Sequence, residues 1–599
     1  MFLATTALTE FWEPAEELLF LGRWCLRRDR RTDWEGLRYQ VLPCPWDDRE
    51  RFYEAARYLD TCQERLMIRL GEYLNVIHRQ SFSHRSWRIL IGPWLLYTLH
   101  AAFDRYVHLR AAFDREPGLL TLVLDARAVQ VPADTWGAVK ALCDDASNLQ
   151  LITDLLQGLG YSFPARLPTM AHAAPQARLR AGDRRRLAFQ ERAGRILNRA
   201  GQALALLRGR RWQIGLCDLY CPRTMAWQLA WRTGCRAMPL EMSPGWSRAL
   251  PAPVAGRRRD GLAGLAGADE FERVFVRTLP HGFPSLYLEG FAQAREEVRR
   301  RFPASLPVIV SANAWYFHEP FKFFAADAAE RRSRLIAVQH GGGYGLFRSV
   351  PMERHETLAA DVFLAWGWAN GAGPLRNAPH PNLSRLPAAR RLTGRRRRAD
   401  RILFVTVDFP RYLYRFHSTP VGSQAEDYHA WQVRFLEALP DRLRGHARFR
   451  GYHDDYGHAV RARITERFPD LRWCEAGPLA RQFPRARLVV IDHLGTTCLE
   501  TLAANRPTVL FWDPGRWEVR QDAEAEVERL RRAGILWDAP ETAAAHVAAV
   551  YENPLGWWGG GAVQQARRLF VERHARATPA WVEPWARLLQ EELAVWRTG

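Results

Sequence analysis

The sequence predicts an α/β protein built from two parallel-sheet domains that are joined by a linker and face a common cleft. Three observations carry this expectation. Short, strand-like apolar runs alternate with helix-like segments through residues 213–365, and a fresh series starts at 402. A stretch punctuated by Gly371, Gly373, Pro374, Pro379, Pro381 and Pro387, and closed by Arg395–Arg398, separates the two series. The 599 residues, 47% apolar and 25% charged, suffice for two globular domains of roughly 250–300 residues each.

Taken in order, Leu18–Leu21 before Gly22 and Tyr39–Leu42 before Pro43 read as strands. Leu59, Leu66, Leu70, Tyr73, Leu74 and Ile77 then recur at helical spacing. A second helix begins at Trp87, with a bend expected at Pro93. Leu119–Leu124 reads as a further strand, and about residues 165–210 as a peripheral helical insert rich in Ala and Arg. Strands are expected next at Gln213–Cys217, Val274–Val276, Val308–Val310, Leu335–Val338 and Val362–Ala365, with a helix over Leu288–Arg301. This completes an N-terminal domain over 1–369, followed by a linker over 370–400. The C-terminal domain, 401–599, carries expected strands at Ile402–Val407, Arg448–Tyr452, Leu488–Ile491 and Thr508–Phe511. Helices lie between them around Trp431–Leu439, Ala459–Phe468 and Cys498–Ala504, and helical segments close the chain.

Composition removes several function classes. The 85 basic side chains exceed the 65 acidic ones by 20, and all but Lys140 and Lys322 are arginine. That bias reads as the trace of a GC-rich genome. The arginines are scattered rather than gathered on one stripe, which argues against a nucleic-acid partner. The nine cysteines form no CxxC pair, and Cys217, Cys221 and Cys235 lack a completing set, so reduced thiols of a cytoplasmic protein are expected rather than zinc. The amino terminus has no basic start followed by an apolar core, and Ile89–Leu99 is shorter than the ~20 residues of a bilayer span. A cytoplasmic location follows, compatible with resting on the inner membrane face.

Three segments carry chemistry. In Leu488–Trp512 a buried strand runs through Asp492 into a Gly-Thr-Thr turn and a short helix. Thr496 or Thr497 falls where a helix cap belongs, and free N–H groups there suit a phosphate. Glu500, one turn on, is placed to meet ribose hydroxyls. In Leu335–Gly345 a strand ends at His340 and the glycines Gly341, Gly342 and Gly343, where backbone can approach a ligand. His340 is expected as a general base or as a stabiliser of a leaving phosphate, with Glu319 as an alternative base. In Arg448–Gly457, Arg450 and His453 are expected near a strand end, suited to a phosphate or carboxylate. No DxD pattern accompanies them, so a metal-independent site without cofactor is expected.

The runs Phe2–Leu8, Leu21–Cys25, Pro45–Asp48, Trp87–Trp94, Gln339–Gly345 and Thr496–Glu500 together resemble a family of bacterial transferases associated with lipopolysaccharide and surface-carbohydrate loci. More distantly, the second domain resembles GT-B glycosyltransferases, among them capsule Kdo transferases, polysialyltransferases and CDP-glycerol phosphotransferases. The resemblance implies a GT-B-like fold of two Rossmann-like domains, with the donor nucleotide against the C-terminal domain. It also implies that Thr496 and Thr497 hold the donor phosphate. A His-Pro pair marks the nucleotide site in some of these enzymes, but here His380-Pro381 falls in the expected linker. The expected activity is transfer of a sugar from a nucleotide-sugar donor to a glycan or lipid-linked glycan acceptor. Polyol-phosphate transfer from a CDP-alcohol is the alternative on the same fold, and a non-catalytic cationic protein binding nucleic acid or lipid is the alternative from another class.

Overall fold

The computed structural model describes residues 1–169, 212–240, 256–303, 306–371, 373–385, 400–474 and 477–598, with Ile196 and Ala203 singly. The insert expected over 165–210 thus lies, past residue 169, outside the described residues apart from those two. Residues 386–399 of the expected linker lie outside them as well.

A small parallel sheet opens the chain: β1 (Phe2–Ala4), β2 (Leu18–Phe20) and β3 (Tyr39–Val41). Two helices follow, Arg49–His78, capped by the Asp48 carboxylate, and His84–Arg115, capped by the Ser83 hydroxyl. The second continues through Pro93 and is buried on all sides from Ser86 to Ala102, because the rest of the N-terminal half packs around it. A short pair, β4 (Val123–Leu124) and β5 (Ala165–Arg166), lies beside them.

Two six-stranded parallel sheets form the body, as the alternation of runs predicts. The first contains β6 (Ile214–Cys217), β7 (Ala237–Pro239), β8 (Val308–Ser311), β9 (Arg334–Val338), β10 (Val362–Ala365) and β11 (Leu375–Asn377), in the order β11-β10-β9-β8-β6-β7. The second contains β12 (Arg401–Val405), β13 (Ala447–Arg450), β14 (Arg472–Trp473), β15 (Ala486–Ile491), β16 (Thr508–Phe511) and β17 (Leu536–Trp537), in the order β14-β13-β12-β15-β16-β17. The central strands are buried on both faces, which is why they read as continuous apolar runs.

One expected strand is a helix. Val274–Val276 lies inside the helix Glu270–Gly282. Phe271, Val274, Phe275, Thr278 and Leu279 are all buried, which is one apolar face at 3.6-residue spacing. Within residues 370–400, β11 adds an edge strand to the first sheet. The last helix, Val582–Thr598, also returns there: Trp585, Leu589 and Leu593 pack with Ile214, Val308 and Ile336.

The two halves are strapped together by residues 406–424. Arg411 and Tyr412 from the strap bond the Asp145 carboxylate at 2.7 and 2.6 Å, and the Phe416 N–H donates to His100 Nδ1 at 3.0 Å. Among the described residues, no helix is long and apolar enough to cross a membrane.

Candidate functional site

The carboxyl ends of the two sheets meet where the Gly342 loop touches Thr496, and the space beside that contact, the hollow below, corresponds to the place where open α/β sheets gather ligands. On the first sheet, Gln339 follows β9 and locks the turn. Its Oε1 accepts the Trp366 N–H at 3.0 Å and the Trp368 indole N–H at 2.7 Å, while its amide donates to the Gly341 carbonyl at 2.9 Å. This aims His340. The ring's Nε2 stands 2.8 Å from Glu356 Oε1 and 2.9 Å from the Tyr344 hydroxyl. Glu356, on the helix Pro351–Ala359, is fully buried; burial pushes its carboxyl up and the His340 ring opposes that. With Nε2–H directed at the carboxylate, Nδ1 keeps the lone pair and has no hydrogen-bond partner among the described residues. A histidine backed by a buried carboxylate in this way is equipped to accept a proton.

Gly342 explains the glycine run. Its N–H donates to the Thr496 hydroxyl at 3.0 Å, joining segments 154 residues apart. A Cβ at 342 would lie 2.3 Å from the Thr496 nitrogen and 2.4 Å from the Gly495 carbonyl carbon. What approaches closely here is the other half of the protein. Gly343 faces Phe347 and His417, where a Cβ would meet the phenyl ring at 2.6 Å, and a Cβ at Gly341 would meet the Tyr344 ring at 3.3 Å.

On the second sheet, β15 runs through Asp492 and His493 to Gly495, and the helix Thr496–Ala503 starts immediately after. Gly495 is the cap residue and no side chain caps the helix, so neither threonine is the cap that the pattern suggested. Thr496 instead meets Gly342, and the Thr497 hydroxyl has no partner among the described residues. Glu500 lies half-buried one turn on; burial raises its carboxyl and Arg450 opposes that. Arg450, the last residue of β13, donates to the Gly477 carbonyl at 2.6 Å. His453 is not brought in. Its side chain is 72% exposed on the following loop, 3.3 Å from Asp454.

Glu319 also lies apart. It is 1% exposed at the start of the helix Glu319–Glu330, accepts the Thr135 N–H at 3.0 Å and the Tyr287 hydroxyl, and pairs with Lys322 Nζ at 3.0 Å. Lys322 is itself buried and also donates to the Thr135 hydroxyl at 2.8 Å and the Leu90 carbonyl at 3.2 Å. This closed network braces the N-terminal half, and its carboxylate has no path to a substrate proton. Lys322→Ala, which strands the Glu319 charge, is expected to cost about 3–5 kcal/mol, read as a lower urea midpoint. An unchanged midpoint would contradict the pairing. His380, of the His-Pro pair, is likewise structural: it stacks on Trp366 at 3.9 Å, and burial pushes its pKa down to about 3.

Four groups at the hollow escaped the sequence. Asp218 and Tyr220, just past β6, are non-glycine residues at φ 44° and 55°, a strained backbone of the kind that gathers at working sites. Burial raises the Asp218 carboxyl and His340 opposes it; the Tyr220 hydroxyl feels Glu500 across the hollow. His493 mirrors His340: its Nδ1 stands 2.9 Å from Asp492, whose carboxylate accepts the Tyr428 hydroxyl at 2.7 Å and the Gln432 amide at 3.0 Å. The dipeptide Asp492-His493 at a strand end was the available signal. Arg415, on the strap, has no carboxylate partner among the described residues. It reaches Met352 Sδ at 3.2 Å, lies over the Tyr414 ring at 5.1 Å, and has Tyr97 and Tyr344 as electrostatic neighbours. A guanidinium without a carboxylate partner beside this hollow suits an anionic group of a ligand.

Comparisons with known proteins come to a single family and a set of distant structures. A family model described as LIC12162 family transferase matches residues 1–589. No curated protein matches the chain. Solved structures that are similar in part include S. aureus MnaA with UDP, at 10% identity, covering 64% of this chain and 96% of that one, with a TM-score of 0.36. They also include Acinetobacter baumannii MurG, at 11% identity, 63% and 99% coverage and a TM-score of 0.32. The wall teichoic acid polymerase TagF with CDPG follows at 9% identity, 69% and 99% coverage and a TM-score of 0.31.

Proposed function

The chain belongs to the LIC12162 family of transferases, and from that membership we propose a glycosyltransferase of the GT-B type that moves a sugar from a nucleotide-activated donor to a surface polysaccharide or lipopolysaccharide acceptor. The observation that carries the reading is the contact of the two strand-tip loops through Gly342 and Thr496. It sets a carboxylate-backed histidine beside a helix start whose N–H groups no side chain caps.

In this reading the donor nucleotide lies against the C-terminal half, with its phosphates at Thr496, Thr497 and Arg415 and its ribose near Glu500 and Arg450. Helix-start N–H groups and a guanidinium favour the negative charge that builds on the departing phosphate. The acceptor lies against the N-terminal half. His340 Nδ1 takes the acceptor hydroxyl proton as its oxygen bonds to the anomeric carbon. The carbon–oxygen bond to the phosphate breaks, and the nucleotide leaves with that electron pair. Glu356 holds the ring and stabilises the imidazolium that forms. His453, exposed on its loop, and Glu319, inside the brace, take no part. The site would work without metal or cofactor, on the inner face of the membrane.

A thermal-shift screen with CMP, UDP, GDP and dTDP tests the reading, since a ligand that binds only the folded state raises its melting temperature. One nucleotide is expected to raise Tm, with Arg415→Gln weakening that ligand about tenfold or more. No shift from any nucleotide would overturn the proposal. A phosphodiester product released together with CMP would replace sugar transfer by polyol-phosphate transfer.

A further inference from the structure

A cavity lined by arginines lies at the other end of the second sheet. Its lining includes Arg401, Arg448, Arg472 and Arg485, with Trp473 and Gln482. The volume is about 410 Å³, within the range of small-molecule sites. Arg401 opens β12, Arg448 is the second residue of β13, Arg472 opens β14, and Arg485 immediately precedes β15. These are the amino-terminal ends of the strands, remote from the tips that carry Thr496 and Glu500.

The strand register makes the charge arrangement costly. Arg448 stands directly opposite Arg472 on the neighbouring strand, about 4.8 Å away across the ladder. Like charges so placed repel and lower stability. Burial, Arg472 and Arg401 together hold the Arg448 guanidinium below its ordinary range. Among the described residues, the carboxylate that opposes them there is Asp400, 62% exposed and 3.6 Å from His446. None of the four arginines forms an ion pair with a carboxylate among the described residues. Arg448 satisfies one nitrogen on the carbonyls of Gly445 and Ala447, at 3.2 and 2.7 Å.

Guarding a sheet edge with charge accounts for Arg472, since β14 is an edge strand. It does not account for Arg401, on the third strand of the sheet, nor for a cavity between the four. We propose that this cavity binds a phosphate-bearing anion, separate from the catalytic hollow and independent of the reaction assigned to it. Guanidinium forks match phosphate oxygens two at a time, and a phosphate among these side chains turns mutual repulsion into attraction. The phosphate can belong to an anionic lipid headgroup or to a soluble phosphate compound. The chemistry is shared, and the sources separate by experiment.

The test uses the full chain with Arg472→Gln, Arg448→Gln and the double variant, and inorganic pyrophosphate as the first probe. Wild type is expected to melt higher with pyrophosphate, and each variant to bind it at least tenfold more weakly. Relief of the like-charge pair should also leave the ligand-free Arg472→Gln protein as stable as wild type or more so, which separates loss of a site from loss of fold. Sedimentation with phosphatidylglycerol vesicles against phosphatidylcholine vesicles separates the sources. Wild-type binding to the anionic vesicles that the double variant loses assigns the headgroup; pyrophosphate binding without vesicle binding assigns the soluble compound. Equal binding of pyrophosphate and of anionic vesicles by wild type and the double variant, or binding of neither probe by wild type, would overturn the proposal.

Discussion

Replacing His340 by alanine is expected to lower the transfer rate about 10²–10⁴-fold, the range over which a positioned general base acts. The loss should fall on kcat with KM little changed, because the proton moves in the transition state and not on binding. The fold should survive the change. Glu356 loses a partner 2.8 Å away, but burial raises its carboxyl, and without the ring that opposes this it is expected to take up a proton rather than hold an unpaired charge. A melting temperature near that of wild type, with the nucleotide still bound, would therefore accompany the lost rate. A wild-type rate in the alanine variant would remove His340 from the chemistry.

Acid is expected to unfold this protein early, between about pH 4 and 5.5. His100, His355, His380 and His574 are all buried, and each has its pKa pushed down to about 3, chiefly by burial. Nearby cations add to this: Arg415 at His100, Arg88 and Lys322 at His355, and Arg573 and Arg520 at His574. Each ring is held neutral in the fold and charges freely once unfolded, near pH 6.5. The stability they represent is complete above pH 6.5 and is lost as the pH falls towards 3, at about 1.4 kcal/mol per unit for each ring. Four rings together give about 5 kcal/mol per unit, against a total stability of about 5–15 kcal/mol. The raised carboxyls of Asp218, Glu356 and Glu500 act in the opposite sense, because they gain protons in the fold as the pH falls, and they soften the slope. Circular dichroism against pH checks the result, and a cooperative fold retained at pH 3.5 would contradict it.

The parts of the fold legible in the sequence are those where burial is uniform. Strands covered on both faces, such as β9, β15 and β16, print as unbroken apolar runs, so their existence and position could be read. Val274–Val276 misled because three apolar or aromatic neighbours mimic a strand, while the helical face shows only when Phe271 and Leu279 are counted with them. The strap over 406–424 and the return of the last helix to the first sheet are long-range facts, and no local pattern records which sheet a segment will cover. The same divide runs through the site. His340 and Thr496 stand at strand ends beside glycines, a local signal with a physical cause. Asp218 and Tyr220 owe their place to left-handed backbone that no residue type there announces. Glu319 reads as an alternative base and is occupied because Lys322, one helical turn on, turns in to meet it.

The central claim is that a nucleotide phosphate seats where the two halves touch. A crystal structure with the nucleotide that raises the melting temperature tests it most directly. Phosphate oxygens are expected within hydrogen-bonding reach of the N–H groups that open the helix Thr496–Ala503 and of the Arg415 guanidinium, with His340 facing the same hollow. A nucleotide found instead in the cavity of Arg401, Arg448 and Arg472, with the hollow empty, would contradict it.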